Sequence, residues 1–120
     1  MGATVAFGIL TSGATAASQE EREMMPTITV IARLVARKDS IEAVKSELLK
    51  LIAPTRNEQG CIEYLLHQDN DDLAVFVFYE IWESLASLEK HTRTDHYRDY
   101  VTAVDGIIEA KTVHKMTRVA

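Results

Sequence analysis

Apolar positions recur along this chain with two different spacings, and the switches between them divide it into elements. In "TITVIARLVA" (27–36) β-branched and apolar residues follow one another with no helical interval, which predicts a buried strand. Lys38, Asp39 and Ser40 end it. Beyond them Ile41, Val44, Leu48 and Leu51 recur at helical spacing with charged residues between, predicting an amphipathic helix capped by Asp39 or Ser40 and stopped by Pro54. After the polar "TRNEQ" and Gly60, "CIEYLLHQ" (61–68) alternates as a second strand, and "DNDD" (69–72) is a turn. "LAVFVFYEIW" (73–82) has the strongest strand pattern in the chain, and the short acidic connection makes it the antiparallel hairpin partner of the second.

Ser84 is placed to cap a helix carrying Leu85 and Leu88. A further helical stretch carries Tyr97, Tyr100, Val101, Val104 and Ile108, and residues 110–120 read as a closing strand. The order β-α-β-β-α-(α)-β predicts an α+β, ferredoxin-like fold, an antiparallel sheet with helices on one face.

Both faces of that sheet carry apolar residues. In 73–82 one parity is Leu73, Val75, Val77, Tyr79 and Ile81, the other Ala74, Phe76, Phe78, Glu80 and Trp82. The first strand shows the same doubleness, with Ile28, Val30, Ala32 and Leu34 on one face and Ile31 and Val35 on the other. A sheet covered by helices on one side ordinarily has a polar second face. Each large apolar side chain left in water forgoes about 1.5–3 kcal/mol of burial. The economical cover is the same face of a second copy, so a homodimer, a dimeric α+β barrel, is expected; a ligand or the chain's own tail is the other candidate cover.

Composition changes the picture at the ends and on the surface. Residues 1–25 are small and apolar as far as Gln19 and then charged, and Met25-Pro26 opens the domain, 26–120. The run Ala3–Leu10 with Ala14-Thr15-Ala16 looks like a secretory signal with its cleavage site, but no Lys or Arg precedes Arg22. The segment is also too short to span a bilayer. It reads as an N-terminal arm in a cytoplasmic protein, or as the signal of an exported one. A net charge of −5 with scattered Lys and Arg argues against nucleic acid, and a lone cysteine, Cys61, against a disulfide or a structural zinc site.

Candidate chemistry gathers in "FYEIWESLASLEKHTRTDHY" (78–97). Glu80 is a carboxylate in the middle of the row Phe76, Phe78, Trp82, and a carboxylate in an apolar cleft either finds a partner or shifts its proton affinity. An ion pair at a strand edge is the structural alternative. His91 stands four residues before Asp95 and can pair with it on one helical face. On a regular helix the spacing of His91 and His96 sets their rings roughly 140° apart, poor for chelation, so no protein-held metal is expected. His67 reads as a surface residue beside a turn, and His114 as isolated in the last strand.

The run from Gly60 to Tyr97, through "GCIEY", "FYEIWES" and "LEKHTRTDHY", resembles the antibiotic biosynthesis monooxygenase family, small dimeric α+β-barrel proteins that include quinol monooxygenases. The resemblance implies an oxygenase without cofactor, in which an electron-rich phenol or quinol is deprotonated in an apolar pocket and reduces O₂ directly. It implies Trp82 lining that pocket, Tyr64 and Phe78 shaping it with Phe76 and Tyr97, and Glu80, His91 or His96 handling protons. Haem-degrading members carry an Asn on the first strand, and residues 26–40 contain none. Other relatives resemble isomerases of small phosphorylated ketones; a dimeric module that only binds an aromatic ligand is the non-enzymatic alternative.

Overall fold

The computed structural model describes residues 26–120, so the expected arm or signal over 1–25 lies outside the described residues. Strand β1, Ile28–Ala36, is followed by helix α1, Ile41–Lys50, and a short helix α2, Ile52–Arg56. The hairpin strands β2, Cys61–Gln68, and β3, Val75–Trp82, come next; then helices α3, Leu85–His91, and α4, Asp95–Ala103; then strand β4, Ile108–Met116. The sheet order is β2-β3-β1-β4, with every neighbouring pair antiparallel. This is the expected α+β sheet.

Three local details differ from the sequence reading. Pro54 does not stop the first helix; the chain turns at Leu51, and Pro54 sits in the first turn of α2, where no backbone N–H is needed. Ser40 stands at the N-cap of α1 without capping it, because its hydroxyl donates to Asp39 Oδ1 at 2.9 Å. Ile108 opens β4 instead of extending α4, since Gly106, at φ 81°, turns the chain between them.

Helical spacing puts Val44, Leu48 and Leu51 into the core against the β1 residues Val30, Leu34 and Ala36 and the β3 residues Phe76, Phe78 and Trp82. Those strand residues share one parity, and the helices cover that face. On the other face Ile31, Val35, Val77, Tyr79 and Ile81 of the two central strands stay mostly half-buried, while the flanking strands present Glu63, His67, Thr112 and His114.

A bulge decides what β2 shows the core. The register with β3 shifts between Cys61 and Glu63, so Cys61 and Tyr64, three apart, both take the helix-covered face. Tyr64 thereby pairs with Glu80 and stacks on Phe78, their ring centroids 4.9 Å apart.

Candidate active site

Across the covered face, the register aligns Tyr64, Glu80, Val30 and Lys115 in one row and Leu66, Phe78, Ala32 and Val113 in the next. The β1 side chains in the middle of both rows are short. Above them the helices leave a cavity of about 180 Å³, floored by all of those residues but Leu66 and roofed by Leu88, Glu89 and His91 of α3, Thr92 at its C-cap, and Tyr97 and Tyr100 of α4. It suits a small molecule with an apolar body.

Glu80 lies in its floor, 5% exposed. β3 is an inner strand, so the edge ion pair is not what holds this carboxylate; its Oε1 accepts the Trp82 indole N–H at 2.8 Å. Burial pushes the Glu80 carboxyl up to about 7, against the opposing pull of that N–H and of Lys111. Near neutrality it therefore exchanges between acid and carboxylate.

The histidines meet a residue that sequence reasoning passed over as loop. Glu58 Oε2 lies 2.6 Å from His91 Nδ1 and 2.7 Å from His96 Nε2. The expected His91–Asp95 pair does not form, and the 140° argument fails, for one reason: no single helix carries these residues. The chain breaks at Thr92–Thr94, where Thr94 caps α4 by accepting from Tyr97 N and donates its hydroxyl to His91 O at 2.7 Å. That knot folds His96 back beside His91. Arg56 fastens the other partner, donating through Nε and Nη2 to Tyr64 O at 3.1 and 3.0 Å and so fixing the Glu58 loop to β2.

Burial lowers the His91 imidazole below its ordinary value, more than the Glu58 carboxylate raises it. A neutral ring with its Nδ1 against a carboxylate carries the proton there, which leaves Nε2 as the acceptor. The same three residues are the ones that could hold a metal, their ligand atoms all within 4.8 Å of one another. Distances of 2.6 and 2.7 Å are those of hydrogen bonds to one shared oxygen.

Of the expected site residues, Tyr64, Phe78, Glu80, His91 and Tyr97 line the cavity together. Trp82 and Phe76 are fully buried behind it; Trp82 acts on the cavity through Glu80 and by packing on His91, ring centroids 4.8 Å apart. His96 stands outside the lining, at the far side of Glu58. Tyr64 stays a neutral phenol, its hydroxyl pushed up by burial, and burial pushes the Cys61 thiol up to about 11, which makes it a poor nucleophile. The lining also holds Lys111 and Lys115, both absent from the sequence reading. Lys111 Nζ bonds the Tyr97 hydroxyl at 3.3 Å and sits 5.4 Å from the Tyr100 ring centroid. Among the described residues no helix is long and apolar enough to cross a membrane.

Comparison with known proteins puts a family on this geometry. Residues 27–103 match the model of the antibiotic biosynthesis monooxygenase family. "Putative monooxygenase Rv0793" of Mycobacterium tuberculosis is 33% identical over 85 residues, 71% of this chain and 83% of its own. "Probable quinol monooxygenase YgiN" of Escherichia coli is 33% identical over 89 residues, 66% of this chain and 86% of its own. The crystal structure of PA3566 from Pseudomonas aeruginosa superposes with a TM-score of 0.78 at 34% identity, over 81% of this chain and 98% of that one. Against the uncharacterized Synechocystis protein sll1783, 26% identical over 78% of this chain, the match spans 63% of the relative's length.

Proposed function

The chain belongs to the antibiotic biosynthesis monooxygenase family, and from that premise we propose that it is a monooxygenase oxidising a quinol or polycyclic phenol with O₂ in the cavity between sheet and helices. The observation that carries the reading is the Glu58-oriented His91 in the wall of an apolar cavity. With Nδ1–H held by the carboxylate, Nε2 takes the phenolic proton, and the imidazolium that forms stays paired with Glu58. Glu80, poised near pH 7, exchanges a proton with the second oxygen function, its orientation kept by Trp82.

The reaction balances on substrate and oxygen alone. A quinol loses two hydrogens from oxygen, one ring C–H becomes C–OH, and four electrons pass to O₂; one oxygen atom enters the ring and the other leaves as water, giving a hydroxyquinone. The apolar walls strengthen each polar contact by excluding water.

The half-buried apolar residues on the outer face of β1 and β3, interrupted by the exposed Arg33 opposite Val77 and flanked by polar residues of β2 and β4, support a homodimer through that face. Sedimentation of the purified chain tests it, a monomer at micromolar concentration being the contrary result.

Oxygen uptake by metal-stripped protein with a panel of reduced naphthoquinols and anthrone-like phenols, corrected for autoxidation, tests the activity. Uptake abolished in His91→Ala and reduced in Trp82→Phe is expected. Turnover of a ketone persisting without oxygen would instead make the same proton-moving pair an isomerase, and saturable binding without turnover a binding module.

A further inference from the structure

The β4 wall of the cavity has the opposite character to the rest. Its helix-facing positions are Lys111, Val113 and Lys115, in line with Leu34, Ala32 and Val30 of β1. On the other three strands the same face is apolar over most of its length, with Glu80 the one charged residue. Lysines on an edge strand often serve only to block pairing with other chains. That role is indifferent to face, yet the opposite parity of β4 presents Ala110, Thr112, His114 and Met116, with no lysine among them. Both cations point into the cavity of a chain whose net charge is −5.

Neither forms a close ion pair with a carboxylate among the described residues, the pull of Lys111 on Glu80 acting at longer range. The side chain of Lys111 is met by a phenol hydroxyl and two aromatic rings, and that of Lys115 by no hydrogen bond or ion pair. Glu89 also lines the cavity and pairs with neither. Lys115 closes the row that begins Tyr64, Glu80, Val30, so it stands two strands, about 10 Å, from the carboxyl that faces the reacting end. A fused-ring substrate with its oxygen function at Glu80 and His91 would bring its far edge to the lysines.

We propose that the cavity selects aromatic substrates carrying a fixed anionic substituent, a carboxylate or a phosphate, bound by Lys115 and Lys111 at the β4 edge. This deepens the function proposed above by naming the substrate class of the same site. Lys111, tied to Tyr97, is the fixed cation, and Lys115 the adaptable one. An ammonium on a flexible stem suits either anion as a point charge.

Equilibrium binding tests this without any turnover, so a failed oxygenase reading and a failed anion site are told apart. The probes for titration calorimetry on the full chain are 1-naphthol, 1-hydroxy-2-naphthoate and 1-naphthyl phosphate. At least one anionic probe is expected to bind roughly tenfold or more tightly than 1-naphthol, with the gap narrowing as salt rises; which anion leads identifies the source. Lys115→Gln, on an exposed strand, is expected to close most of that gap while leaving cooperative unfolding unchanged. Equal affinities for all three probes, no binding of either anion, or a preference that survives in both Lys115→Gln and Lys111→Gln would overturn the proposal.

Discussion

The two sides of the cavity belong to one sheet and differ in nearly everything else. On the β2–β3 side Trp82 and Phe76 are fully buried, Glu80 and His91 nearly so, and two separate hydrogen-bonded sets lie side by side, Trp82 with Glu80 and the two histidines with Glu58. On the other side β4 is hydrogen-bonded to β1 along its length, yet every residue from Glu109 to Met116 is exposed. Regular pairing alone therefore does not desolvate a strand; helices packed over it do, and they stop short of β4. Carboxyl and imidazole groups on the covered side lose water and shift toward their neutral forms, whereas Lys111 on the open side, desolvated in part, is held charged by the Tyr100 and Tyr97 hydroxyls. Proton chemistry belongs to the first side, recognition to the second.

The sharpest way to break that division is to alter one group on each side. Glu58→Gln keeps the shape but removes the charge that holds the His91 proton on Nδ1. It is expected to lower kcat by about 10²–10⁴-fold, the range of general-base catalysis, with KM little changed. Lys115→Gln is expected to raise KM for an anionic quinol and spare kcat. Steady-state oxygen uptake separates the two, and a Glu58→Gln effect confined to KM would sink the assignment.

Next in size is the linkage between Glu80 and pH. Its folded value, about 7, lies above the ordinary 4.5, so the stability that protonation lends the fold is full below about pH 4.5 and is lost as pH rises through about 7. The loss amounts to about 3 kcal/mol. His91 has the opposite sign: its lowered value costs stability as pH falls below 6.5. Both proteins in the comparison keep that contribution. In Glu80→Gln the Gln oxygen still accepts from Trp82 but no charge forms, so the variant is expected to be more stable than the parent at pH 8 and to lose the advantage at pH 5. Urea midpoints at both pH values measure it; parallel profiles would mean that Glu80 is already ionised in the fold.

How much of this was legible follows the same division. Strand positions, the hairpin, the Ser84 cap and the odd carboxylate among aromatics all come from local periodicity, and they describe the covered side well. Glu58 was not legible. It sits in a polar loop and meets histidines 33 and 38 residues away, a distance that only the tertiary fold closes. Part of the histidine geometry did leave a trace: Thr94 and Asp95 are a cap and a first-turn acid, a restart signal that a single long helix overlooks. The direction of Lys111 and Lys115 needed the β1–β4 register, and that of Tyr64 a bulge at Ile62, neither of which alternation in one strand specifies.

Gly60 joins the two partners of the covered side, the Glu58 loop and the helix carrying His91. At φ 90° it takes a conformation that other residues adopt at a cost of about 1–2 kcal/mol, and a Cβ there would collide with the Ser87 side chain on α3. Gly60→Ala is expected to lower stability by about 2 kcal/mol and, by displacing α3 from Glu58, to reduce kcat beyond what instability explains. An active variant with unchanged midpoint would show that this turn does not position the pair.

The smallest expected effect concerns a polar group on the covered side that the site does not use. Thr55 is fully buried on α2, and its hydroxyl has no hydrogen-bond partner of good geometry among the described residues, although it lies close enough to the Tyr64 hydroxyl to influence it. A buried hydroxyl without a partner costs about 1–3 kcal/mol. Thr55→Val replaces it with a methyl group of similar volume and is expected to raise stability by about 1 kcal/mol at unchanged turnover. A loss of stability in Thr55→Val, absent when the same change is made in Tyr64→Phe, would show instead that the two hydroxyls do bond in solution. Thr55 would then help hold the phenol at the cavity wall, and the covered side would reach one residue further than the hydrogen bonds seen here.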